Sequence, residues 1–211
     1  MDGKQRIVKE EEMKRTLYVS DLDGTLLNRQ SVLSETTIAT LNRILQEKKA
    51  LFTIATARTP ATVVDLMKEV KCSLPFVLMA GAVLWNDSKQ NYERVRAIPS
   101  ATVDKLLEIY GHYTIRPFIY RRHGNCLFVY HTFELTESER QFIEPRIQSP
   151  FKRLVTTESL TAQDPDDSVL VYSMGSYATL LNIANEIRAS QLPCTLSCYQ
   201  DIFDCSQGIL E

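Results

Sequence analysis

Residues 16–27, Thr16-Leu17-Tyr18-Val19-Ser20-Asp21-Leu22-Asp23-Gly24-Thr25-Leu26-Leu27, decide how the rest of the chain is read. Leu17, Tyr18 and Val19 are strand formers, and an apolar run ended by Asp and Gly predicts a buried strand that stops abruptly. Asp21 and Asp23 lie two apart. In extended backbone such residues share a face, so both carboxylates can converge while Leu22 points into the core. Gly24 permits a sharp turn and a close approach of backbone to ligand. Thr25 adds a hydroxyl and an N–H beside the same spot.

Two carboxylates at the carboxyl end of a strand suit phosphoryl transfer. One attacks phosphorus and forms an aspartyl-phosphate. The other protonates the leaving oxygen and later takes a proton from water. Clustered negative charge facing a phosphate calls for a hard cation, and Mg²⁺ with oxygen ligands and retained waters fits.

The run from Asp21 to Leu27 resembles the first motif, DxDGTLL, of the haloacid dehalogenase-like phosphatases. The resemblance implies Asp21 as nucleophile and Asp23 as acid/base. It also implies Mg²⁺ on the Asp21 carboxylate and Asp23 main-chain carbonyl, with phosphate on the Leu22, Gly24 and Thr25 amides. The fold implied is α/β: a Rossmann-like parallel-sheet core with an inserted α+β cap.

Downstream, Ser34 can cap a helix in which Ile38, Leu41 and Leu45 recur at helical spacing. Leu51 to Ala55 predicts a second strand, ending in Thr56-Ala57-Arg58-Thr59-Pro60, with Pro60 suited to a helix's first turn. Ligands gather outside the carboxyl ends of parallel strands, which makes Thr56 a phosphate donor and Arg58 a partner for substrate charge. The competing readings are a helix cap for Thr56 and a solvated charge for Arg58. The stretch is similar to the family's strand ending in Thr-Gly-Arg, with Ala57 in place of Gly. A third strand, Pro75 to Met79, precedes Ala80-Gly81-Ala82. That turn resembles the Asn-Gly-Ala of the Cof-type subfamily, which places Gly81 at the substrate and sets Ala80 where a polar Asn is usual.

From residue 83 hairpins mix with helices, so residues 16–82 are read as core and 83–211 as cap. The predicted elements are a hairpin over 83–98, a helix over 103–110, a hairpin over 115–131 around His123-Gly124-Asn125, and a helix over 137–147. A strand over 169–173 and a helix over 178–189 follow, the latter with Leu181, Ile183, Ala184 and Ile187 inward. Strands over 195–199 and 202–210 close the chain. Arg121, Arg122 and His123 form the most basic local cluster, and His112 and His131 read as structural. Residues 1–15 are mostly charged and read as an extension.

The chain has 211 residues, 44% hydrophobic and 24% charged, with a formal net charge of -2. That balance suits a globular protein and gives no reason to expect nucleic acid as partner. No stretch approaches a membrane span and no signal-peptide pattern is evident. Five cysteines without a C-x-x-C pair suggest reduced thiols in a cytoplasm. A third-motif Lys and a Gly-Asp-x-x-Asn-Asp motif do not appear, which predicts a half-built core sheet, self-association through its exposed edge, and little activity in these 211 residues alone. The function expected is hydrolysis of a small phosphorylated metabolite such as a sugar phosphate. Its alternatives are a non-catalytic remnant that binds a phosphorylated ligand or a protein, and a phosphomutase.

Overall fold

The computed structural model describes residues 16–47, 50–161, 167–201 and 204–211, so the extension expected over 1–15 lies outside the described residues. Strand β1 (Leu17–Ser20) runs parallel to β2 (Leu51–Ile54), in register from Leu17 opposite Leu51 to Ser20 opposite Ile54. Helix α1 (Glu35–Glu47) lies between them in sequence, and the Ser34 hydroxyl accepts from the Thr37 N–H at 3.1 Å at its start. Helix α2 (Pro60–Met67) follows with Pro60 in its first turn. Strand β3 (Phe76–Leu78) joins by a parallel bridge between Ala55 and Val77. The carboxyl ends of β1, β2 and β3 therefore sit side by side, where parallel sheets carry their ligands.

The hairpin β4 (Val83–Asn86) and β5 (Asn91–Val95) is antiparallel to β3 and belongs to its sheet. A new module was expected from residue 83, yet the second sheet begins only at β6. Trp85 accounts for this arrangement: it is fully buried, opposite Phe76, with edge contacts to Tyr92 and Phe151. Packing of that kind holds the hairpin on β3.

After α3 (Ser100–Tyr110) come β6 (Phe118–His123), β7 (Cys126–His131) and α4 (Glu137–Ile143). Strands β8 (Lys152–Thr156) and β9 (Ser168–Ser176), helix α5 (Tyr177–Ala189), and strands β10 (Cys198–Gln200) and β11 (Gln207–Leu210) complete the chain. Their sheet has the order β10-β11-β9-β6-β7-β8. Its outer face carries Ile119 and Val171 against α3 and α5. Its inner face carries Phe118, Tyr120, Leu127 and Tyr172, in one cluster with Leu22, Ile54, Phe76 and Trp85 of the first part.

Four details depart from the sequence expectations. The helix expected over 137–147 ends at Ile143 and continues as a 3₁₀ turn, Glu144–Gln148, because Pro145 supplies no N–H for a longer α-helix. Strand β8 was not foreseen, since Lys152-Arg153 breaks the apolar pattern. In α5 the buried residues are Leu180, Ile183, Ala184 and Ile187, at the spacing of one helix face, and Leu181 is exposed. Strand β1 pairs on one side only among the described residues, and Leu17, Tyr18 and Val19 are 52%, 58% and 53% exposed rather than buried.

The phase of α5 can be tested directly. Leu180→Ala is expected to lower stability by about 2–5 kcal/mol, as deletion of a buried Leu does. Leu181→Ala is expected to change it by roughly 0.5 kcal/mol or less. Urea unfolding of both variants checks the pair.

Candidate active site

The site begins where β1 ends. The backbone of Leu22–Leu26 forms one wide turn, closed by the Leu27 N–H donating to the Leu22 carbonyl at 2.9 Å. Fully buried Leu22 anchors it in the core, and Gly24 takes a left-handed φ of 73°. Asp21, Asp23, Gly24 and Thr25 are left on the surface. The Leu22 N–H, expected to face phosphate, donates to Asp21 Oδ1 at 2.7 Å. Asp21 thus carries a fixed carboxylate.

Arg58 reaches across from the end of β2 to Asp23. Its Nε donates to Oδ2 at 2.8 Å and its Nη2 to Oδ1 at 2.6 Å, the paired geometry that suits guanidinium and carboxylate. The hydrogen bonds from Arg58 hold the Asp23 carboxyl below the usual range. Arg58 is raised in return, chiefly by the same bonds, with Asp21 adding a smaller attraction. Here Arg58 binds the expected acid/base itself, where sequence suggested substrate charge.

Thr56 is buried, and its hydroxyl accepts weakly from the Arg58 N–H at 3.3 Å. It does not cap α2. That position belongs to Thr59, which makes no side-chain cap bond. The third strand end is unusual: Met79, Ala80 and Gly81 take φ values of 53°, 51° and 93° in succession. Left-handed backbone is ordinary for Gly and Asn and unfavourable for Ala. The turn is tied down by Met79 N–H to the Arg58 carbonyl and Ala80 N–H to the Thr56 carbonyl.

A cavity of about 330 Å³ lies among these ends, lined by Asp21, Thr56, Ala57, Ala80 and Gly81. A second, of about 520 Å³, shares Ala57, Ala80 and Gly81 and extends past Arg96, Ile98 and Leu106 to Thr195 and Ser197. Arg96 forms no ion pair among the described residues. The resemblance pointed to Ala57 and Ala80 as departures from Gly and Asn, whereas nothing in the local sequence singled out Arg96 as a wall residue.

The basic cluster at the β6–β7 tip serves the fold. Arg121 is buried and donates to the Leu160 and Thr161 carbonyls, Arg122 pairs with Asp167, and His123 meets the Tyr130 hydroxyl. His131 bonds to the Phe133 carbonyl and the Thr156 hydroxyl, and His112 to Glu186. No group of three or more His, Cys, Asp or Glu side chains suited to a metal occurs among the described residues. The donors that fit a hard cation are the Asp21 carboxylate and nearby main-chain oxygen, a sparse set of the kind Mg²⁺ supplements with water and substrate phosphate.

The chain belongs to the haloacid dehalogenase-like hydrolase family, whose model matches residues 18–197. Its fold is that of several solved structures. A haloacid dehalogenase-like hydrolase from Bacteroides thetaiotaomicron matches with a TM-score of 0.66 and 18% identity, over 93% of this chain and 71% of that one. TM0651 from Thermotoga maritima matches at 0.65 and 15%, over 93% and 68%. The subclass IIB sugar phosphatase BT4131 matches at 0.61 and 13%, over 92% and 69%. No curated protein matches the chain. No helix among the described residues is long and apolar enough to cross a membrane.

Two outcomes follow from this geometry. Ala80→Asn should raise stability by about 0.5–1 kcal/mol, because Asn tolerates the left-handed conformation that Ala resists; thermal unfolding checks it. The Asp23 carboxyl should titrate below an ordinary Asp and return to the usual range in Arg58→Gln, followed by carboxyl NMR. Because the folded value is depressed, the stability this pair contributes is present above the ordinary Asp range and is lost as pH falls through the depressed value.

Proposed function

We propose that this protein is an Mg²⁺-dependent phosphatase that hydrolyses a small phosphorylated metabolite through an aspartyl-phosphate on Asp21. The observation that carries the reading is the 330 Å³ cavity, where an exposed carboxylate faces a buried Thr hydroxyl and small-residue walls at three aligned strand ends. Membership of a hydrolase family and likeness in fold to a sugar phosphatase support it.

In this reading the Asp21 oxygen not held by the Leu22 N–H attacks phosphorus, and Thr56 donates to a phosphoryl oxygen. The amides of Gly24 and Thr25, in the turn after Asp21, are the further donors that the family resemblance assigns to phosphate. Incoming phosphate competes for Arg58, which frees Asp23 to take up a proton and deliver it to the leaving oxygen. Asp23 then deprotonates the water that cleaves the aspartyl-phosphate. Bound Mg²⁺, on the Asp21 carboxylate and Asp23 carbonyl, would offset charge between phosphate and carboxylates. The 520 Å³ cavity, which runs from Ala57, Ala80 and Gly81 to Leu106 of α3 and Ile187 of α5, receives the leaving group. The five cysteines, all free of disulfides, support a reducing cytoplasm as the setting. The exposed face of β1 supports self-association through that strand.

Among the described residues no Lys lines the Asp21 cavity, so slow turnover is expected. A missing preorganised cation of this kind is worth roughly 10²–10³ in rate. The Arg58–Asp23 pair favours a second reading, a non-catalytic phosphate binder, because a carboxylate held ionised is a poor proton donor.

One experiment separates the two. With Mg²⁺ and an aryl phosphate, the phosphatase reading predicts slow release of phosphate that Asp21→Asn abolishes and Asp23→Asn slows. A binder would hold inorganic phosphate with no turnover in any variant. Turnover unchanged in Asp21→Asn would remove Asp21 as nucleophile. Thr56→Val should weaken inhibition by inorganic phosphate by the worth of one hydrogen bond, about 1–3 kcal/mol, with folding intact.

A further inference from the structure

The 520 Å³ cavity meets the Asp21 cavity at Ala57, Ala80 and Gly81, which line both. These residues bring no polar side chain to the junction. A molecule whose phosphoryl group lies at Asp21 therefore passes its ester bond through an apolar neck, and its carbon skeleton enters the larger space. The volume of that space suits a small-molecule site, for which about 300–1,000 Å³ is usual.

The wall of the larger cavity divides by chemistry. Leu106 of α3, Ile187 of α5, Val171 of β9 and Leu210 of β11 line it, and each is 8% exposed or less. Tyr110 is buried there too, but its hydroxyl is already engaged with the Ser173 hydroxyl at 2.7 Å. Arg96, Thr195 and Ser197 also line the cavity, and all three are exposed, so water satisfies them. Among the described residues the buried part of the wall thus offers hydrocarbon, and the polar side chains of the wall lie towards solvent.

Two ionisable wall residues respond to those surroundings. Burial pushes the Cys194 thiol up, and burial likewise raises the half-buried Glu211 carboxyl. Loss of water without a compensating charge has that effect on both groups. A sugar drawn into this space would trade water for hydrocarbon at several hydroxyls, and a hydroxyl buried without a partner is costly. An aryl or alkyl skeleton instead gains from the same walls.

We propose that the substrate is a phosphate monoester of an apolar alcohol, whose hydrocarbon skeleton fills the 520 Å³ cavity while its phosphoryl group meets Asp21. This rests on the phosphatase reading and narrows its substrate class from phosphorylated metabolites at large to hydrophobic phosphomonoesters. Leu106, Val171, Ile187 and Leu210 take the skeleton by burial. Sugar phosphates of the same size bind more weakly, because their hydroxyls find few partners on that wall.

Calorimetric titration of the protein in Mg²⁺ with cyclohexylmethyl phosphate, glucose 6-phosphate and inorganic phosphate tests this. The two esters carry phosphate on the same kind of primary carbon beside a ring of the same size, and differ chiefly in hydroxyls. Cyclohexylmethyl phosphate should bind about tenfold tighter or more. Ala97→Phe, which fills the larger cavity from a wall residue outside the Asp21 cavity, should cut that affinity about tenfold. Leu196→Gln, at a half-buried wall position, should cut it about threefold and keeps the test decisive if Ala97→Phe does not fold. Neither variant should change the affinity for inorganic phosphate, which needs only the Asp21 cavity. No advantage for the apolar ester, or an advantage that survives undiminished in the folded variants, overturns the apolar pocket. With inorganic phosphate still bound, the phosphatase reading then stands. Failure of all three ligands to bind overturns both.

Discussion

The parallel pairing of Leu17–Ser20 with Leu51–Ile54, continued by the bridge from Ala55 to Val77, is the constraint on which the site depends. It brings Asp21, Thr56 and the Met79–Gly81 turn to one edge of the sheet. A slip of one residue would turn every side chain of a strand to the opposite face. The register is held from the core side by Leu22, Ile54, Phe76 and Leu78, all buried. Packing on one side of the sheet thus fixes geometry at its end.

Within that frame, electrostatics and space do different work. The Arg58 fork balances one of two neighbouring carboxylates and, among the described residues, leaves Asp21 held by the Leu22 N–H. The cavity beside Asp21 exists because Ala57, Ala80 and Gly81 are small and because the chain accepts left-handed backbone at Ala80. Strain of that kind persists only where surrounding bonds enforce it, here the Met79 and Ala80 N–H groups on the Arg58 and Thr56 carbonyls. Loss of room, more than loss of charge, would be the gentlest way to disable the site.

Much of this was legible in the sequence because it is local. The end of β1 before Asp21, the turn at Gly24 and Thr56 at the end of an apolar run follow from rules over a few residues. Asp23, by contrast, lies in the turn and not in the strand, and only Asp21 of the two lines the cavity among the described residues. The departure at Ala80 was also visible, though its left-handed backbone was not. What escaped is non-local. The partner of Arg58 lies 35 residues away in sequence. Strand β8 opens with Lys152-Arg153, which looks like loop until the inner face of the sheet gathers around it. Trp85 decides where the hairpin goes by contacts to Tyr92 and Phe151, and no periodicity announces that. Leu181 and Leu180 are indistinguishable by hydropathy, and only the packed phase of α5 separates them.

The central claim is that Asp21 carries the phosphoryl group, and chemical trapping tests it most directly. Protein mixed with an aryl phosphate and Mg²⁺, then quenched with borohydride, should contain homoserine at position 21, because an aspartyl-phosphate is reduced where a free carboxylate is not. Release of phosphate with Asp21 recovered unmodified, or homoserine at position 23 instead, would contradict the account.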